Sequence, residues 1–131
     1  MLEWYRYSHG VYGIVIRYAL IKSIAPVCGD NVAIYEGVYL LHPQHMSIGN
    51  NVSIQPMAYI ECGTKDIGIE IGDDVSIAHD VTIMATSHNY DDVNIPIKDQ
   101  GVTSSKTIIE KMFGLVLRQL FFRVYGSLPD V

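Results

Sequence analysis

From Ile48 onward an apolar position recurs every six residues. The chain divides there into I-G-N-N-V-S, I-Q-P-M-A-Y and I-E-C-G-T-K, then after a short insertion into I-G-D-D-V-S, I-A-H-D-V-T and I-M-A-T-S-H. Isoleucine opens each unit, as Ile48, Ile54, Ile60, Ile71, Ile77 and Ile83. The fifth position is small or β-branched: Val52, Ala58, Thr64, Val75, Val81 and Ser87. If about a quarter of positions were aliphatic, six hits in phase would arise by chance roughly once in several thousand trials. A weaker set in the same frame comes earlier, with units opening at Cys28, Ile34 and Leu40; Met46 and Ser47 then intervene before the first clean unit.

A period of six matches neither the 3.6-residue stripe of an amphipathic helix nor the two-residue alternation of a plain strand. It fits a short flat strand plus a corner, three of which complete a triangular coil. The isoleucine fills the corner from inside, and the small fifth residue lets the next wall approach. Gly49, Asn50, Asn51, Gly72, Asp73 and Asp74 fall at the turns, where Gly, Asn and Asp best tolerate left-handed backbone angles. The expected fold is an all-β solenoid, a single-stranded parallel β-helix over residues 25–111, its coils spaced about 4.8 Å apart. Residues 1–24 predict an N-terminal helical cap, in which Tyr5, Val11, Ile14, Val15, Tyr18 and Ile21 share a face. Solenoids need their open end covered; resting on a membrane surface is the alternative use of that face.

Composition narrows the classes. The 131 residues support one domain, and a hydrophobic fraction of 49% supplies a core. Net charge is −5 with scattered Lys and Arg, so the basic patch of a nucleic-acid binder is missing. Arg6, Arg17 and Lys22 interrupt the N-terminal apolar stretches, leaving no run near the ~20 residues of a membrane span and no secretory signal pattern. A cytoplasmic protein without stable membrane insertion is expected. Cys28 and Cys62 are too few for a disulfide framework and read as small buried thiols.

The I-G-x-x-V-x units followed by "IMATSHNYDDVNIPIKDQGVTSSKTIIE" resemble the hexapeptide-repeat O-acetyltransferases over about residues 24–111. The nearest branch is similar to galactoside and maltose acetyltransferases and to those that decorate capsule or exopolysaccharide sugars. The resemblance implies a left-handed winding, against the usual crossover rule, and a homotrimer with active sites between neighbouring prisms. It implies acetyl transfer from acetyl-CoA to a sugar hydroxyl, with His88 as general base at the coil end where loop 89–106 leaves. Imidazole titrates near neutrality and suits that role; a thioester already has a good leaving group, so no metal is required. Gln55 on the adjacent coil, and Asn89, Tyr90 and Asp91 opening the loop, are the expected acceptor contacts. A solvated carboxylate remains the alternative for Asp91, and an exposed turn amide for Gln55. His42 and His45 are expected at the surface.

Two rivals are a γ-class carbonic anhydrase and a non-enzymatic β-helix fragment or scaffold. "IGDDVSIAHDVTI" resembles a metal-binding segment of the former, with His79 as a ligand, but Met84 stands where the next ligand belongs. Zinc catalysis needs three good ligands and an open position.

The period ends after Ile109: its fifth position becomes Phe113, and then Gln119. Residues 112–131 form a non-repeat tail, read either as a capping helix or as a frameshift product. Permitted codons from Lys111 onward, read again from the last base of the lysine codon, spell D-V-W-I-G-A-K-A-I-I-F-P-G, which is the repeat's expected next coil. Loss of those coils removes part of the expected coenzyme A groove, so weak or absent activity is expected of this chain.

Overall fold

The structure, a computed structural model, describes residues 2–64 and 66–110. Expectations for residues 111–131 lie outside the described residues. A short 3-10 turn at Leu2–Tyr5 leads into α1, Gly10–Ile24. Three strands follow in the first circuit: β1 (Val27–Cys28), β2 (Val32–Ile34) and β3 (Tyr39–Leu41). The second circuit holds β4 (Met46–Ile48), β5 (Val52–Ile54) and β6 (Tyr59–Glu61); the third holds β7 (Ile69–Ile71), β8 (Ser76–Ile77) and β9 (Thr82–Met84). A hairpin of β10 (Thr86–His88) and β11 (Val102–Ser104) then precedes β12 (Thr107–Ile109).

These strands form three parallel sheets in the orders β1-β4-β7-β12, β2-β5-β8 and β3-β6-β9, with β10 and β11 as a separate antiparallel pair. The chain visits the three sheets in rotation, and each full circuit adds one strand to each. That is a parallel β-helix-like topology.

The register reproduces the sequence repeat. Cys28 lies opposite Ile48, Ile48 opposite Ile71, and Ile71 opposite Ile109. Ile34, Ile54 and Ile77 align in the second sheet, and Leu40, Ile60 and Ile83 in the third. The six repeat isoleucines are all buried in one apolar core. Sequence spacing therefore dictates packing, because identical side chains stack at identical places in successive coils.

The corner between the first two sheets shows why Asn and Asp are chosen there. Asn31, Asn51 and Asp74 adopt left-handed backbone angles, with φ of 56°, 57° and 57°, which these residues tolerate better than most. Their side chains form a ladder: Asn31 Nδ2 donates to Asn51 Oδ1 at 2.7 Å, and Asn51 Nδ2 donates to Asp74 Oδ1 at 2.8 Å. One position earlier, Asn50 Oδ1 accepts the Asp30 amide at 2.8 Å and Asp73 Oδ1 accepts the Asn50 amide at 2.6 Å. Side chains thus carry the coil-to-coil hydrogen bonding around a bend.

Two expectations need correction. Thr64 and Ser87 lie outside the core; Cys62 and Ala85, at the ends of the second and third circuits, are buried instead. Both repeat units leave the coil after their third residue, so the fifth position no longer faces inward. The cap also presents a different face. Tyr5 belongs to the preceding turn, and Val11 and Val15 are 76% and 57% exposed, whereas Gly13, Arg17 and Ile21 are buried. Gly13 faces the Ser8 carbonyl so closely that a Cβ would sit 2.0 Å from its oxygen. Arg17 in turn satisfies the carbonyls of that same segment. Among the described residues no helix is long and apolar enough to cross a membrane.

Candidate functional site

Connections from the first sheet to the second, and from the second to the third, stay short and regular in every circuit. Every departure from the six-residue beat occurs where the chain passes from the third sheet back to the first. The departures are residues 42–45, residues 62–68 and residues 85–106, lengthening with each circuit. One edge of the molecule is therefore decorated and the other two are plain.

Glu61 lies at the root of this edge, 5% exposed. Its backbone oxygen accepts the Ala85 amide at 3.0 Å, the last rung before the chain diverges. Its carboxylate then takes over: Oε2 accepts the Thr86 amide at 3.1 Å and the Thr86 hydroxyl at 2.6 Å, while Oε1 accepts the Gly63 amide at 3.0 Å. Beyond that root, Thr86 pairs with Ser104, Ser87 with Thr103 and His88 with Val102. The Ser105 amide closes the hairpin base on the Ala85 oxygen at 2.7 Å, and Ser104 Oγ accepts the Thr64 amide at 3.3 Å.

The hairpin tip is ordered by two amide side chains. Asn89 donates through Nδ2 to the Gln100 oxygen at 3.1 Å, and its Oδ1 accepts from the Thr103 hydroxyl. Gln100 Nε2 donates to the oxygens of Asp92 at 2.6 Å and Ile95 at 2.7 Å, and its Oε1 accepts the Asp92 amide at 3.2 Å. Between residues 64–68 and β11 runs an open groove of about 630 Å³, lined by Thr64, Asp66, Ile67, Gly68, Val102, Thr103, Ser104 and Lys106. Lys106 Nζ sits 3.0 Å from the Glu70 carboxylate. The groove follows β11, whose partner strand carries His88.

No family model matches the chain, and no curated protein matches it. Among solved structures, the fold is similar to AntD, an N-acyltransferase from Bacillus cereus in complex with dTDP and 3-hydroxybutyryl-CoA. The identity is 19% and the TM-score 0.50, over 71% of this chain and 61% of that one. A point mutant of the same protein with dTDP and coenzyme A matches at 20% identity and TM-score 0.49, over the same shares. This chain thus spans 61% of that protein's length. The likeness is one of fold.

The structure brings His88, Asn89, Tyr90 and Asp91 to the decorated edge, with His88, Tyr90 and Asp91 exposed. Among the described residues the His88 ring has no hydrogen-bond partner. Asn89 spends its side chain on holding the hairpin together. Gln55 lies elsewhere, at the turn between the second and third sheets, where its backbone N–H donates to the Ile77 oxygen at 2.8 Å and its side-chain Nε2 lies 3.5 Å from Ser53 Oγ. One chain therefore does not bring Gln55 to His88. His42 is exposed, but His45 is half-buried, with Nδ1 2.8 Å from the Gly63 oxygen, and so braces the second insertion. Among the described residues no group of three or more His, Cys, Asp and Glu side chains is placed to hold a metal. Sequence reasoning missed Glu61 and Gln100; one signal was available for Glu61, a charge next to a repeat isoleucine at the point where the beat breaks.

Proposed function

We propose that the chain is an acyl-CoA-dependent acyltransferase of the left-handed β-helix type, acetylating a hydroxyl on a sugar or polysaccharide precursor. The observation that carries this reading is the placement of His88. It stands exposed on a hairpin beside a groove, at the one edge where all insertions gather. The fold likeness to an N-acyltransferase whose structure holds dTDP and an acyl-CoA supports an acyl-CoA donor and is compatible with an acceptor that carries a nucleoside diphosphate.

In this reading the His88 imidazole takes the proton of the acceptor hydroxyl as its oxygen attacks the thioester carbonyl carbon. The C–O bond forms, the C–S bond breaks, and the imidazolium returns the proton to the departing coenzyme A thiolate. No metal enters the step. Tyr90 and Asp91 flank the acceptor, and Asn89 keeps the strand end in place. Gln55 reaches the acceptor from a neighbouring subunit, because a homotrimer of such prisms sets one edge against another. The residues after Lys111 limit activity where they replace the next coil of the coenzyme A groove.

Thiol release from acetyl-CoA by the full chain, with hexoses and nucleotide-activated hexoses and amino sugars as acceptors, tests the proposal. A His88→Asn variant is expected to lose roughly 100-fold or more in kcat, the scale of general-base catalysis. An alkali-labile product marks an ester. A stable amide moves the acceptor to an amine, and equal turnover by wild type and His88→Asn overturns the role of His88. An absence of turnover with every acceptor is also the outcome expected from loss of the next coil, so turnover by a chain with the D-V-W-I-G-A coil restored separates an impaired acyltransferase from a scaffold.

A further inference from the structure

We infer that Glu61 is a positioning residue for His88, setting the hairpin that carries the imidazole at a fixed height on the decorated edge. The inference deepens the proposed acyl-transfer reading and rests on it for its catalytic consequence. The geometry is specific. Strand β10 leaves the parallel stack just where β9 ends, and a diverging chain loses its backbone partners. The carboxylate of Glu61 supplies them, accepting both the amide and the hydroxyl of Thr86 on one oxygen. Thr86 and His88 lie two apart on the same three-residue strand, so their side chains share a face. The other oxygen accepts the Gly63 amide, which ties the hairpin to the insertion forming the opposite wall of the groove. One buried side chain thus ties the imidazole-bearing strand to the neighbouring insertion.

A carboxylate is required here because all three partners are donors. Glutamine has a single acceptor oxygen, and its NH2 group must point at an N–H donor, either that of Gly63 or those of Thr86. Each arrangement leaves a buried donor unpaired, and the hairpin shifts to relieve it. A displacement on the order of 1 Å at a reacting group costs about 100-fold in rate.

The test uses the full chain with acetyl-CoA and the hexose panel. Glu61→Gln is expected to lower kcat by about 100-fold while the KM for acetyl-CoA moves less than about threefold. Thr86→Val should reproduce part of that loss, and Thr86→Ser, which keeps the hydroxyl, should retain most activity. Because Glu61→Gln is capable of unfolding the chain, Thr86→Val at a half-buried position gives the same answer with little risk to the core. Amide hydrogen exchange supplies a readout independent of turnover. Glu61→Gln should accelerate exchange at Thr86 or Gly63, the two amides the carboxylate accepts, by tenfold or more and leave Ser53, in the second sheet, unchanged. Absent turnover in wild type, which loss of the next coil is itself expected to cause, removes the kinetic comparison but leaves the exchange result to decide the positioning. Wild-type kcat together with unchanged exchange at Thr86 and Gly63 in both variants would overturn it.

Discussion

The Arg17 guanidinium reaches from the middle of α1 to the strand beneath, its Nε donating to the Ile34 carbonyl oxygen at 2.7 Å. Its Nη1 meanwhile donates to the oxygens of Ser8 at 2.7 Å and Tyr5 at 3.0 Å. Burial lowers the guanidinium pKa, and the nearby Glu36 charge opposes that shift. The cation therefore joins three segments: the leading turn, the helix and the first circuit. Arg17→Met is expected to leave those carbonyls unpaired and lower stability by about 2–4 kcal/mol. Arg17→Lys recovers little, because a single ammonium cannot span carbonyls on opposite sides. Urea unfolding midpoints of the three chains check this.

The corner ladder predicts a split between two replacements of Asn51. Asn51→Ala removes both side-chain hydrogen bonds and leaves a Cβ at φ 57°, costing about 2 kcal/mol. Asn51→Gly removes the same bonds without the backbone strain, so it should cost about 1 kcal/mol less. Equal loss from the two would mean that the left-handed turn carries no strain at this position.

Burial pushes the Cys62 thiol up to about 12, with the neighbouring Glu61 charge adding to the shift. An unfolded thiol titrates near about 8.5, so the folded chain holds this proton more tightly than the unfolded one. The resulting stability is fully present below about 8.5 and declines as pH rises toward 12, at about 1.4 kcal/mol per pH unit. Cys62→Ala should flatten the alkaline fall in unfolding free energy by that amount, measured by urea titrations from pH 8 to 11. An identical slope in both chains would show that Cys62 does not titrate as buried.

Gln100 fastens the hairpin tip to Asp92 and Ile95. Gln100→Ala loses those bonds from an exposed loop, so the melting temperature should barely move. Local opening should rise, however, and chymotryptic cleavage after Tyr90 is expected to speed up roughly tenfold. Mass spectrometry of timed digests reads this directly.

The residues after Lys111 give a prediction at the level of the gene. Its nucleotide sequence is expected to spell D-V-W-I-G-A in the alternative frame that starts at the last base of the lysine codon. A coding sequence that cannot be read this way excludes the frameshift.

The parallel β-helix-like stacking was legible from the isoleucines because a core position that repeats in space must repeat in sequence. The register of Ile48, Ile71 and Ile109 is the same observation made twice. His88 was singled out only through a resemblance, since one exposed histidine carries no periodicity of its own, and the structure adds its exposed place on β10. Glu61 was not, because its role depends on a donor twenty-five residues away that becomes its neighbour only when the coils stack. The cap misled for a related reason. Its apolar residues surround the helix on every side, so hydrophobicity could not name the buried face, and the deciding contacts were those of Gly13 and Arg17.

Confining every insertion to one edge separates two kinds of change. Substitutions along the plain edges alter how high the column stands and how well it holds. Lengthening or exchanging the exposed stretch 90–99 of the hairpin tip alters only what the molecule meets. A lineage, or an engineer, can rewrite the rim of such a molecule many times without revising the masonry below it.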